Sequence, residues 1–192
     1  SGERWQVVLA RLAAGRGERF LSSGGKTHKL DALLGGVAVL ELVLRAARAS
    51  GLPWHVVRPA EDTRGMGDSI AKGVRATAQA PGWLILPADL PLVQPATLGL
   101  VAAGLAAHRV VVPHWRGSRG HPVGFDAQCF DALAGLSGDT GAASIVRDCR
   151  LAGLALDLEV DDPGIECDVD TVQDLAQAEA QWKALGGGVK KN

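Results

Sequence analysis

The sequence predicts an α/β protein with a largely parallel sheet covered on both faces. Two observations carry this: short apolar runs alternate with segments of helical period along most of the chain, and two of those runs end in turns carrying glycine or a lone aspartate. Residues 5–12 form the first expected strand. Residues 37–49 follow as a helix, with Leu40, Val43, Leu44 and Ala47 on one face, stopped by Gly51-Leu52-Pro53. A short strand at 54–57, a helix at 68–79 and a buried strand at 83–87 lead into Asp89, and Pro91 blocks continuation. Pro95 suits the first turn of a helix running to about residue 107, and a strand at 110–112 follows. Beyond Pro113 the pattern is irregular: a Gly/Arg-rich loop at 116–120, a helix around 140–150 and a strand around 154–160. Thr171-Val172-Gln173-Asp174 reads as the N-terminal cap of a last helix. One domain over residues 1–185 is expected, with a frayed tail at 186–192.

Composition narrows the classes of function. The 192 residues suffice for one domain with a real core. A formal net charge of -1 provides no basic footprint for nucleic acid. No apolar stretch approaches the roughly 20 residues of a membrane span, and the start Ser1-Gly2-Glu3-Arg4-Trp5 lacks a signal-peptide pattern. Cys129, Cys149 and Cys167 are an odd number without paired spacing, which speaks against a disulfide framework and a zinc site. A soluble protein of the reducing cytoplasm is expected, with neither a membrane nor a nucleic acid as partner.

Chemistry concentrates at the ends of two apolar runs. After the first, Gly15 and Gly17 allow a sharp turn whose backbone can approach an anion, and Arg19 and Lys29 supply charge. Lys26 rivals Lys29 for that role, and an ordinary surface turn is the bland alternative for Gly15-Arg16-Gly17. A dinucleotide fingerprint is discounted because Phe20 stands where its third glycine would be. After the second run, Asp89 has no structural partner apparent in the sequence, and Mg²⁺ bridging to phosphate oxygens explains it most economically. Backbone groups of Ala13 and Ala14, with Ser69 closing the other edge, would read a flat pyrimidine; close helix packing is the competing reason for those small residues. Arg119, His121 and Asp139 are polar groups that a glycine-rich stretch brings together, expected to bind a second substrate, although His121 ahead of Pro122 could be a plain extended turn residue.

Leu12-Ala13-Ala14-Gly15 and six further motifs fall in the order that one family uses: His28-Lys29-Leu30, Gly65-Met66-Gly67-Asp68-Ser69-Ile70, Pro87-Ala88-Asp89-Leu90-Pro91-Leu92-Val93, Arg119-Gly120-His121-Pro122-Val123-Gly124-Phe125, Gly138-Asp139-Thr140-Gly141-Ala142 and Asp168-Val169-Asp170-Thr171. Over roughly residues 7–181 the chain resembles the MobA-like nucleotidyltransferases. Leu-Ala-Ala-Gly in place of Leu-Ala-Gly-Gly makes it most similar to the molybdenum cofactor cytidylyltransferases. The resemblance implies a three-layer, Rossmann-like nucleotidyltransferase fold with a mostly parallel mixed sheet. It implies Arg19, Lys29 and Asp89 as catalytic residues. It implies a nucleotide site of Leu12, Ala13, Ala14, Gly15, Gly17, Arg19, Lys29, Gly67, Ser69 and Asp89. Asp170 becomes the second metal carboxylate, with Asp168 as its neighbour; helix capping ahead of Thr171 is the alternative for both aspartates.

The reaction so implied is transfer of CMP from CTP to the phosphate of molybdopterin, with Mg²⁺ and with release of pyrophosphate. A phosphate monoester, with a second pKa of about 6, is already mostly an oxyanion at neutral pH, so no histidine base is required. A molybdenum hydroxylase would be the client for the product. Guanylyl or sugar-phosphate nucleotidylyl transfer, and a non-catalytic nucleotide or cofactor carrier, are the other readings.

Overall fold

A computed structural model describes residues 4–10, 24–25, 29–58 and 63–186. The strands, in chain order, are β1 (Gln6–Ala10), β2 (Leu33–Leu34), β3 (Val37–Ala38), β4 (Trp54–Val56), β5 (Gly82–Pro87), β6 (Val110–Trp115), β7 (Ser118–Arg119), β8 (Val123–Asp126) and β9 (Ala155–Glu159). The helices are α1 (Val39–Ala49), α2 (Met66–Ala76), α3 (Pro95–Gly104), α4 (Phe130–Ala134), α5 (Ala143–Leu151) and α6 (Val172–Ala184).

Seven strands form one mixed sheet in the order β4-β1-β5-β8-β6-β7, with β9 also paired to β6. β4, β1 and β5 run parallel, with Ala10 opposite Pro87. β6 and β9 are parallel to each other, and β8 lies between β5 and β6 antiparallel to both. The expected mixed, mainly parallel sheet is therefore present.

Alternation of side chains along the strands divides the core into two layers. On one face Val7, Leu9, Leu84 and Leu86 pack with Val43, Ala46 and Ala47 of α1 and Leu98, Val101 and Ala102 of α3. On the other, Val8, Ala10, Trp83 and Ile85 pack with Ile70 and Val74 of α2, Leu133 of α4 and Val146 of α5. Both faces of β1 and β5 are covered, which is why these strands read as continuous apolar runs. No helix of the described residues is long and apolar enough to cross a membrane.

The structure departs from the sequence reading beyond Pro113. β6 continues to Trp115, and the loop at 116–120 begins with a two-residue hairpin turn in which Arg116 and Gly117 both have positive φ, 48° and 83°. β8 and α4 were not expected at all. A second small hairpin, β2–β3, turns at Gly35 and Gly36, also at positive φ. A Cβ at Gly35 would lie 2.4 Å from the indole of Trp182, so the glycine is what lets α6 close on this hairpin.

Candidate functional site at the carboxyl edge of the sheet

Three stretches of chain meet where β5 ends. The Ala88 amide donates to the Ala10 carbonyl at 3.1 Å, carrying the pairing with β1 one step past the strand, and Asp89 is the next residue. Its carbonyl accepts from the Val169 amide at 2.9 Å, which ties the segment carrying Asp168 and Asp170 to the end of β5. Val169 is itself fully buried, packed with Leu34, Leu92 and Ala178, so this segment is anchored from below as well.

Lys29 completes the group. Its Nζ donates to Asp89 Oδ2 at 3.0 Å and to Asp170 Oδ1 at 2.7 Å, and the residue is only 5% exposed. Burial by itself would lower the ammonium's pKa, but the charges and hydrogen bonds of Asp89 and Asp170 outweigh it and hold the pKa above its ordinary value. Lys29 is therefore cationic wherever the protein is folded at neutral pH. Carboxylate oxygens of Asp89, Asp168 and Asp170 lie within 4.8 Å of one another. Asp168 is the most exposed of the three, and partial loss of water, followed by hydrogen bonding to Asp170 and the negative charges of Asp170 and Asp89, pushes its carboxyl up to about 6. Three carboxylates against one ammonium leave the cluster net negative, and oxygen donors of this kind fit a hard divalent cation.

Helix capping does not account for the aspartates. Thr171 caps α6, its hydroxyl accepting from the Asp174 amide at 3.1 Å, while Asp174 Oδ2 accepts from the amides of Asp170 and Thr171 at 3.0 Å each. That reciprocal box is the one the spacing of Thr171 and Asp174 predicts. It leaves the carboxylates of Asp168 and Asp170 to the cluster.

Two adjoining depressions of about 330 and 400 Å³ open beside Asp89 and share Met66, Pro87, Arg119, Gly120 and His121. The first also includes Asp89 and Asp168; the second runs under α2 and α5 along Ile70, Ile85, Val112, Val123, Phe125 and Val146. β8 runs antiparallel, so its start lies at the carboxyl edge, and this brings Arg119 and His121 to the aspartates. The His121 amide donates to the Ile165 carbonyl at 2.9 Å, whereas its Nδ1 is buried without a hydrogen-bond partner among the described residues. Burial holds the imidazole below its ordinary value of 6.5 against the opposing charge of Asp89, so the ring is neutral at pH 7.

The remaining expected residues fall on α2 and the loop facing it. The Gly67 amide donates to the Gly138 carbonyl at 2.9 Å, and a Cβ there would stand 2.3 Å from the Thr140 carbonyl oxygen. Asp68 fastens this contact from both sides, accepting from the amides of Arg64 and Gly138 at 2.9 Å each. Ser69 is fully buried, and its hydroxyl has no partner among the described residues. Asp139 lies against the backbone of Gly65, two residues before Gly141 of the larger depression. Arg119 and His121 thus share a depression with Asp89, while Asp139 stands apart from its lining.

Leu12, Ala13, Ala14, Gly15, Gly17, Arg19 and Lys26 lie outside the described residues, as do the last two residues of the expected first strand. Sequence reasoning did not find Glu166 or the apolar wall of Ile85, Val112, Val123 and Phe125. Glu166 is one polar residue in an irregular stretch, and the wall exists only because β8 is inserted between β5 and β6. No local signal marks either.

The family described as MobA-like NTP transferase domain matches residues 10–154. The purine catabolism protein PucB of Bacillus subtilis is 34% identical over 122 residues, which are 62% of this chain and 58% of that protein, so the match spans less than two thirds of the relative's length. Rv0371c of Mycobacterium tuberculosis superposes with a TM-score of 0.75 at 25% identity, covering 94% of this chain and 99% of that one. A structure of Rv0371c in complex with manganese gives 0.68 at 23% identity, covering 91% and 96%. A nucleotidyl transferase from Methanothermobacter thermautotroptrophicus gives 0.78 at 21% identity, covering 96% and 100%, a likeness of fold.

Proposed function

The chain belongs to the family of MobA-like NTP transferase domains, and from that premise we propose that it is a divalent-metal-dependent cytidylyltransferase acting on molybdopterin. The observation that carries the reading is the convergence of Lys29, Asp89, Asp168 and Asp170 beside a largely apolar depression with Arg119 and His121 at its mouth. An oxygen of the acceptor's phosphate forms a bond to the α-phosphorus of CTP. The bond from that phosphorus to the β-phosphate's bridging oxygen breaks, and pyrophosphate leaves.

Alignment and charge neutralisation carry such a step, since the attacking group is already an anion. Asp89 and Asp170, with Asp168 beside them, would hold Mg²⁺, which supplies positive charge to the phosphate oxygens that gather negative charge in transfer. Arg19 and Lys29 take the leaving pyrophosphate. Leu12, Ala13, Ala14, Gly15 and Gly17, with Gly67 and Ser69, cradle the nucleotide. Arg119 and the neutral His121 hold the acceptor's polar end, with Asp139 flanking from the adjoining loop. The apolar lining favours a flat heterocycle over a sugar phosphate, whose hydroxyls would be stripped of water without partners.

The test is pyrophosphate release from CTP and from GTP with Mg²⁺, with and without molybdopterin, for the wild type and Asp89→Asn. CTP turnover that requires the acceptor is expected, and Asp89→Asn should lower kcat by about 100-fold or more. Equal use of GTP would remove the base preference. Tight CTP binding without release would assign a carrier role.

A further inference from the structure

We infer that Lys29 holds the place of the divalent cation in the nucleotide-free protein, so that the ion enters together with the nucleotide and not ahead of it. The inference rests on the metal reading proposed above and concerns what this lysine does before substrate arrives.

The Lys29 ammonium bridges one oxygen of Asp89 and one of Asp170, at 3.0 and 2.7 Å. These are the same two carboxylates that would ligate the ion, within a cluster whose ligand atoms all lie inside 4.8 Å. A hard cation binds such oxygens at about 2.0–2.6 Å, so an ion on these two carboxylates competes with the ammonium for them and is repelled by its charge at close range. At 5% exposure Lys29 cannot turn to water without giving up two charge-assisted bonds in a buried setting. An ion arriving alone must therefore displace a buried cation without bringing it another anion. A triphosphate arriving with it offers new anionic partners within the span of a flexible four-carbon stem. Metal and nucleotide then strengthen each other's binding by the same factor, because linkage is reciprocal.

Mn²⁺ binding to the full chain, followed by electron paramagnetic resonance and by calorimetry, tests this in the presence and absence of α,β-methylene-CTP, which is not cleaved between its α and β phosphorus atoms. Wild type should bind Mn²⁺ weakly alone and about tenfold or more tightly with the analogue. Lys29→Met should bind Mn²⁺ alone about tenfold more tightly than wild type, with most of the gain from the analogue lost. Lys29→Gln, nearer in shape and still polar, repeats the comparison if the methionine variant does not fold. Wild-type Mn²⁺ affinity that is unaffected by the analogue would overturn the inference, as would unchanged affinity in a folded lysine variant. Absence of Mn²⁺ binding in every form and condition would instead sink the metal reading itself, and this inference with it.

Discussion

The ammonium of Lys29 and the carboxylate of Asp162 are both buried charges, yet they serve different ends. Asp162 is 1% exposed and, among the described residues, answers only structural donors: the amides of Gln94 and Gly164 at 2.9 Å and the Thr97 hydroxyl at 2.6 Å. It joins the start of α3 to the turn at Pro163–Glu166, whose far side supports His121. Removing it orphans the buried Gly164 amide and Thr97 hydroxyl and the half-buried Gln94 amide, so Asp162→Ala should cost about 3 kcal/mol in urea unfolding. Asp68 can be read through pH. Hydrogen bonds from the Arg64 and Gly138 amides hold its carboxyl below the ordinary value of 3.8. Its contribution is therefore complete above that value and is lost as the pH falls through the lowered one. Asp68→Asn should be less stable than wild type at pH 7, with the gap narrowing in acid; a gap unchanged down to pH 2 would contradict the assignment.

Elements owe their placement here to a few contacts between them. α6 is capped by its own sequence, but it is located by Trp182 lying over Gly35, whose φ is 58°. An alanine at Gly35 combines a left-handed backbone, costing about 1–2 kcal/mol, with a Cβ inside the indole's space. Gly35→Ala should lower the thermal midpoint and shift the fluorescence of Trp182 toward that of a solvated indole. Because α6 follows directly on Asp170, the same variant should weaken Mn²⁺ binding measured with nucleotide present. β8 is the opposite case, a strand located by its neighbours. Its register opposite β5, with Trp83 across from Phe125 and Ile85 from Val123, turns an irregular stretch of sequence into a central strand.

For the whole molecule the decisive feature is that everything polar at the site collects at one edge of the sheet. β1, β5 and β6 all end there, and β8 starts there. The larger depression belongs to no single element, being walled by α2, α5 and strands β5, β6 and β8. Filling it should separate acceptor from nucleotide. Val146→Phe places a ring in the depression from α5, and its expected effect is a raised KM for molybdopterin with CTP affinity unchanged. Equal loss of both would show that the depression does not belong to the acceptor.

The sequence by itself determined the α/β class, the strands that are buried on both faces, the capping box of α6 and the position of Asp89 after a buried strand. Each of these is written in local pattern: apolar runs, a proline at a helix start, Thr171 three residues before Asp174. It also named Lys29, Asp89, Asp168 and Asp170 through the family's motifs. Only the tertiary structure decided that the ammonium of Lys29 lies between two of those carboxylates, 60 and 141 residues away along the chain. It alone placed β8 antiparallel in the sheet and thereby built the apolar wall behind His121. The physical reason is that charge pairing and cavity shape depend on which distant segments the buried core brings together, and no window of sequence contains both partners.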